Sequence, residues 1–208
     1  MSPKFYKNYT VLITLITLGL ALISFPAFVI SEEFTDIKAT KQFKKALKAQ
    51  RLGRLKEAKN LVAEFPKHPL YGYVIYHDLK RRLNLKNSKE IDLFLKKEGG
   101  SRVGKLLRKR WLKKLHRNRR WKDFLDYYEK NSFPEPEMLC RFYEAKIKRN
   151  EGASIIGEIK STWNQGSSLP KECDPAFAFL YDSGSLNDPL VWDRIKKAYN
   201  KNNPSLAK

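Results

Sequence analysis

The sequence predicts an all-α protein, a curved and solenoid-like superhelix of about ten short antiparallel helices that follows an N-terminal signal segment. Apolar side chains recur at the spacing of one helix face. Proline and glycine interrupt these stretches, so that none is long enough to bury its own apolar face. The sequence contains no two strand-like segments joined by a hairpin turn.

The first predicted helix illustrates the pattern. Ala39, Phe43 and Ala46 form an apolar stripe at helical spacing. We therefore expect a helix over residues 36–50, with Gly53 as its C-terminal stop. The later apolar stripes each predict one further short helix, and they include Leu61, Tyr73, Leu95, Leu107, Phe124, Phe142, Ile159, Phe177 and Ile195.

Several helix starts are marked by residues that cap helices. Asn87 followed by Glu90 resembles a capping box, and Ser101 is expected to cap the next helix. Asp174-Pro175 and Asp188-Pro189 each predict a cap followed by proline at the first helical position.

The N-terminus has the composition of a secretory signal. Lys4 and Lys7 precede an apolar stretch over residues 11–30, and charge begins again at Glu32. The small residues near this boundary predict cleavage between Ser31 and Glu32.

Cleavage there gives a signal peptide over residues 1–31 and an α-superhelical domain over residues 32–208. The alternative is an uncleaved inner-membrane anchor, because the apolar stretch is about long enough to span a bilayer. In both cases the rest of the chain lies outside the cytoplasm, and we expect it in the periplasm.

The charge predicts attraction to polyanions. The formal net charge is +20, and the segment from Arg102 to Lys122 contains eleven basic residues and no acidic one. Charge alone does not distinguish nucleic acid from anionic lipid or acidic glycan. Export excludes nucleic acid as a partner, and it leaves the membrane as a partner only if the signal segment stays attached.

The helix within this basic segment is amphipathic. One face carries the apolar residues Val103, Leu107, Trp111 and Leu115. The opposite face carries the basic residues of a candidate polyanion face, Arg102, Lys105, Lys109 and Lys113. We interpret Trp111 and Trp121 as core residues. A solvated basic side without a ligand is the alternative to a binding face.

The two cysteines, Cys140 and Cys173, are expected to form a disulfide in an oxidising compartment. Two separate buried thiols are the alternative. None of the histidines, His68, His77 and His116, lies at metal-ligand spacing from a cysteine or from another histidine. We predict no metal and no cofactor.

Three segments resemble the N-terminal superhelical region of the soluble lytic murein transglycosylases, which are periplasmic enzymes. They are HPLYGYVIYHDLKRRL (68–83), EPEMLCRFYEAKIKRNEG (135–152) and LPKECDPAFAFLYDSGSLNDPLVWDRIKKA (169–198). The matching residues are Pro69, Leu70, Tyr71, Tyr73, Tyr76, Cys140, Tyr143, Ala145, Lys146, Cys173, Asp174, Ser183, Gly184, Asp188, Pro189 and Leu190.

The resemblance implies a role in murein cleavage, with the glycan strands and a C-terminal catalytic domain as partners. That family cleaves the MurNAc–GlcNAc bond and forms a 1,6-anhydro product with one glutamate of a lysozyme-like domain. The Glu-Ser pair and the GLMQ-like and AYNAG-like motifs of that domain are absent from this sequence. We expect an incomplete N-terminal scaffold that is inactive alone.

No residue is therefore assigned to catalysis. The carboxylate pairs Glu135/Glu137 and Asp123/Asp126 are interpreted as ordinary loop and helix-surface charges. A stand-alone adaptor of tetratricopeptide-like helical repeats, which binds envelope proteins, is the alternative function; Gly53, Ala58 and Pro66 follow that repeat pattern.

Overall fold

The computed structural model describes residues 26–128, 133 and 135–207. Its regular structure is entirely helical over these residues, which confirms the predicted all-α class and the expected number of short helices. The α-helices are Pro26–Arg51 (α1), Leu55–Leu61 (α2), Tyr71–Arg81 (α3), Ser88–Glu98 (α4), Arg102–Arg117 (α5), Trp121–Tyr127 (α6), Pro136–Lys148 (α7), Ile156–Trp163 (α8), Asp174–Asp182 (α9) and Asp188–Asn200 (α10).

Helix α1 is longer than the predicted range of residues 36–50, since the structure describes it as a helix from Pro26 onwards. The predicted signal segment lies outside the described residues over 1–25, and the predicted cleavage position between Ser31 and Glu32 falls within the backbone of α1. Cleavage stays a prediction. Among the described residues, no helix has both the length and the apolar character needed to cross a bilayer.

The chain divides into two compact units, the first ending at Asp78 and the second beginning at Leu79. In the first unit, α1 packs against α2. The core of this unit consists of Ala39, Phe43, Ala46, Ala49, Ala58, Val62 and Val74. The buried side chain of Gln50 donates a hydrogen bond of 2.8 Å from Nε2 to the carbonyl of Val74, which joins the end of α1 to α3.

Gly53 ends α1 as predicted. Its φ of 79° is left-handed, and the Arg54 amide donates to the Ala49 carbonyl over 2.9 Å. This is the Schellman arrangement, in which glycine adopts the left-handed conformation without steric cost.

The second unit is built around α5, which packs against α4 and α6. The predicted apolar face is confirmed, because the buried residues of α5 are Val103, Gly104, Leu107, Trp111, Leu112 and Leu115. Trp111 is only 1% exposed and is therefore a core residue. Trp121 is half-buried, so it is less enclosed than Trp111.

Helix α7 packs against α6 and α9, and α8 packs against α9. Their shared core consists of Cys140, Tyr143, Ile155, Ile159, Cys173, Ala176 and Leu180. Cys140 and Cys173 form the expected disulfide at the centre of this core, with Cα atoms 4.7 Å apart. The link joins α7 to the 3₁₀ turn Lys171–Cys173 that precedes α9.

Helix α10 is held against the end of α8 by close backbone and ring contacts. The guanidinium of Arg194 lies 4.2 Å from the ring centroid of Trp163. Gly166 leaves no room for a side chain, since a Cβ atom there would lie 2.1 Å from the carbonyl oxygen of Lys197.

The caps agree with the sequence only in part. Ser101 Oγ accepts a hydrogen bond of 3.1 Å from the Gly104 amide, as predicted. The cap of α10 is Asn187, one residue before the predicted Asp188, and its side chain accepts from the Leu190 amide. The Asn87 side chain does not cap α4.

Candidate polyanion-binding site

The predicted polyanion face is divided in the structure. Lys109 forms an ion pair with Glu135, and Lys113 forms one of 2.9 Å with Glu137. Lys109 donates a hydrogen bond that lowers the pKa of the Glu135 carboxyl, and Lys113, followed by Arg141, does the same to the pKa of Glu137. These two lysines are therefore already neutralised by α7 and the residue before it.

The other half of that face is free. Arg102 and Lys105 are exposed, and neither has an acidic partner within the described part of the chain.

The other carboxylate pair noted in the sequence, Asp123 and Asp126, is also engaged in ion pairs. Asp123 pairs with Arg120, and Asp126 pairs with Lys122.

A partly buried charge network lies behind Glu137. Arg141 on α7 binds Glu137 at 3.0 Å and Glu172 at 3.1 Å, and its side chain is only 18% exposed. Glu172 precedes Cys173 and Arg141 follows Cys140, so the ion pair runs beside the disulfide. The disulfide and the neighbouring Arg141–Glu172 ion pair thus both connect α7 to the turn before α9.

The network extends to His116 at the end of α5. Arg141 Nη1 lies 3.0 Å from His116 Nδ1, and His116 Nε2 lies 2.9 Å from Glu144 Oε2. Because a guanidinium only donates, Nδ1 is the acceptor and the imidazole proton is on Nε2, which donates to Glu144. Burial lowers the pKa of His116, against the opposing effect of Glu144. The ring is therefore neutral at pH 7.

A basic cleft opens beside this histidine. A cavity of about 480 Å³ is lined by His116, Arg117, Arg119, Trp121, Glu144 and Lys148. A neighbouring cavity of about 460 Å³ shares Arg119, Trp121 and Lys148 with it. We call the two cavities together the basic cleft.

The charge of the basic cleft is largely uncompensated. Arg117, Arg119 and Lys148 have no ion-pair partner among the described residues. The carboxylate of Glu144 also lines the cavity and keeps its negative charge, since the neutral His116 ring only donates to it, but the three cations outnumber it. These three cations are exposed, and without a protein partner they attract an external anion more strongly than the ion-paired lysines of α5 do.

The sequence indicated the basic segment but not the basic cleft. Lys148 is separated from Arg119 by most of α6 and α7, and only the packing of α7 brings both onto one cavity. Across the described residues there is no group of three or more potential metal ligands. The arrangement is suited to binding anions.

Comparison with solved structures relates this fold to known enzymes. A lytic transglycosylase of Pseudomonas aeruginosa, solved as an inactive mutant, matches 79% of this chain with a TM-score of 0.69 and 26% sequence identity. The chain is a structural relative of the soluble lytic transglycosylases. The resemblance expected from the three sequence segments is confirmed.

Two further structures of soluble lytic transglycosylases show the same fold. The 70-kDa enzyme of Escherichia coli matches 83% of the chain with a TM-score of 0.71 and 21% identity. A 70-kDa soluble lytic transglycosylase in complex with bulgecin A matches 81% with a TM-score of 0.71 and 21% identity. The chain spans only 27% to 28% of the length of these three proteins. No protein-family model and no curated protein matched the sequence.

Proposed function

We propose that this chain is the N-terminal, non-catalytic scaffold of a periplasmic soluble lytic murein transglycosylase, acting in peptidoglycan cleavage and turnover within the complete enzyme. The observation that carries the proposal is the match of 79% of the chain to a lytic transglycosylase at 26% identity. Because the chain spans 27% of that relative, cleavage itself is assigned to a further domain.

The state of the carboxylates supports a non-catalytic role. A glutamate that acts as general acid requires a raised pKa, which an apolar pocket provides. Cations lower the pKa of Glu135, Glu137 and Glu151 instead. Glu144 and Glu172 are bound to His116 and Arg141 and serve the packing of α5, α7 and the turn before α9.

The disulfide supports a location outside the cytoplasm, because such bonds persist in oxidising compartments. The link between Cys140 and Cys173 thus agrees with the secretory signal predicted over residues 1–31. Fractionation of cells that express the tagged full chain, followed by thiol alkylation, tests this location. We expect the protein in the periplasmic fraction with no reactive thiol.

The scaffold is proposed to hold murein strands through its free basic residues, since stem-peptide carboxylates are anionic. Purified murein sacculi are sedimented with the full chain at low and high salt. We expect retention that falls with salt and falls further in an Arg102→Gln/Lys105→Gln variant. Lys44→Gln/Lys45→Gln removes the same charge from exposed positions of α1 and is the matched control. Absent or salt-insensitive retention contradicts this role.

An adaptor that binds envelope proteins is the second candidate. It is favoured by the exposed aromatic residues of α10, where Trp192 and Tyr199 are 62% and 61% exposed. Two results together favour the adaptor over the scaffold. The sacculi fail to retain the chain, and the chain associates stably with one envelope protein through Trp192.

A further inference from the structure

We propose that the basic cleft is a binding site for an oxyanion carried on a sugar, either a carboxylate or a phosphate. The site is separate from the Arg102–Lys105 surface, which lies at the opposite end of α5. The inference does not depend on the scaffold role, because it follows from the geometry of the cleft alone.

The first observation is the convergence of unpaired cations. Arg117 ends α5, Arg119 lies in the turn between α5 and α6, and Lys148 ends α7. All three line one cavity, and elsewhere on α5 the lysines facing α7 are neutralised by Glu135 and Glu137. An arginine fork binds carboxylate and phosphate in bidentate geometry, and a nearby lysine adds a point charge.

The second observation is the backbone of Arg119. Its φ is +55°, in the left-handed region where helices usually end with glycine. The amide of Arg120 donates to the Leu115 carbonyl over 3.0 Å, so Arg119 occupies the glycine position of a Schellman motif. Among the described residues, the other non-glycine residues at positive φ are both asparagines, Asn150 and Asn202, a type that tolerates this conformation.

An arginine there costs stability, on the order of 1 kcal/mol. Strain of this kind clusters at binding sites, where the side chain contributes something that glycine cannot. Arg119 lines both cavities of the basic cleft, so what its side chain contributes there is a positive charge.

The third observation is Trp121, which also lines both cavities and is half-buried. His116 meets its ring edge-on, with the centroids 5.2 Å apart. A flat apolar ring beside cations provides a surface for a sugar ring that carries a charged substituent.

The test measures binding to the full chain by calorimetry, with short oligogalacturonates, glucose 6-phosphate, methyl-esterified oligogalacturonates and inorganic phosphate as probes. We expect at least one charged sugar to bind, the neutral ester not to bind and inorganic phosphate to bind more weakly. Arg119→Gly is expected to weaken binding about tenfold, as for one lost charge-assisted hydrogen bond. It should leave the melting temperature unchanged or raised.

Lys44→Gln is the matched control, since it removes one exposed charge from α1, outside both the cleft and the surface proposed to hold murein, and we expect less than about a twofold loss. Equal losses in the two variants, binding of the neutral ester, or inorganic phosphate as strong as both charged sugars overturns the proposal. Because the cleft shares no residue with the surface of Arg102 and Lys105, its failure leaves the sacculus experiment unaffected.

Discussion

Arg141 donates a hydrogen bond from Nη1 to Nδ1 of His116 over 3.0 Å. This bond fixes the imidazole in its neutral form with the proton on Nε2, where Glu144 accepts it at 2.9 Å. A proton added to Nδ1 would remove the acceptor and place a positive ring beside the guanidinium. The contact between α5 and α7 is therefore sensitive to acid.

Acidification from pH 7 to pH 5 is expected to lower the free energy of unfolding. Burial lowers the pKa of His116 from its ordinary 6.5, so the unfolded chain binds the proton first. This contribution is fully present above pH 6.5 and is lost as the pH falls below it, by at most about 1.4 kcal/mol per pH unit for one proton. Denaturant unfolding at several pH values measures it.

The control for this pH dependence is His116→Gln, which keeps a hydrogen-bonding side chain but does not titrate. The range from pH 7 to pH 5 lies above the lowered pKa values of Glu135 and Glu137, so those carboxyl groups stay ionised across it. A variant whose stability falls as steeply as that of the parent protein contradicts the assignment to His116.

Arg141→Met is expected to destabilise the protein by about 1–3 kcal/mol, because the partly buried Glu172 loses its cation while Glu137 keeps only Lys113. Lys122→Met breaks an exposed pair with Asp126 and should change stability by less than about 0.5 kcal/mol. Urea unfolding of both variants measures the difference, and equal effects would show that the Arg141 network contributes no more than a surface pair.

Reduction of the disulfide is expected to lower the free energy of unfolding. The link closes a loop with a sequence separation of 33 between Cys140 and Cys173. In the loop-entropy description this stabilises the folded protein by about 3–4 kcal/mol. Unfolding with and without reductant measures the loss. A Cys140→Ala/Cys173→Ala variant should be insensitive to reductant, and a parent protein that is equally insensitive contradicts the prediction.

Two glycines, one in the first turn of α8 and one just after its end, are expected to respond in opposite directions to alanine. Gly166→Ala places a Cβ atom against the Lys197 carbonyl and should cost about 1–3 kcal/mol. Gly157→Ala meets nothing within 4 Å on an exposed helical position and should stabilise by up to about 1 kcal/mol. Thermal unfolding gives both signs, and destabilisation by Gly157→Ala would contradict the open environment described for it.

Much of the fold could be predicted because local rules determine it. The apolar stripe of Ala39, Phe43 and Ala46 is buried as expected, and Gly53 ends its helix. Where a cap was misplaced, two neighbouring residues competed for one position: Asn187 accepts from the Leu190 amide in place of Asp188. Spacing alone does not decide such competition, since both side chains can accept the same bond.

The candidate site was less accessible from sequence. On an isolated helix, the pattern around Lys109 predicts basic side chains without partners. Only the packing of α7 brings Glu135 to Lys109. The cleft similarly requires residues of α5, α6 and α7 to meet. One local signal of the cleft was present in the sequence. Arg119 follows the end of α5, a position where glycine is common and arginine is unusual.

The neighbouring positions of the disulfide and the Arg141–Glu172 pair have a consequence for how the protein matures. Because the ion pair joins the same two segments as the disulfide, we expect it to favour the approach of the two thiols in the reduced protein, before an oxidase removes their electrons. With two cysteines in the whole sequence, no scrambled isomer competes within one molecule. We therefore expect the oxidised pairing to form quickly and without isomerisation.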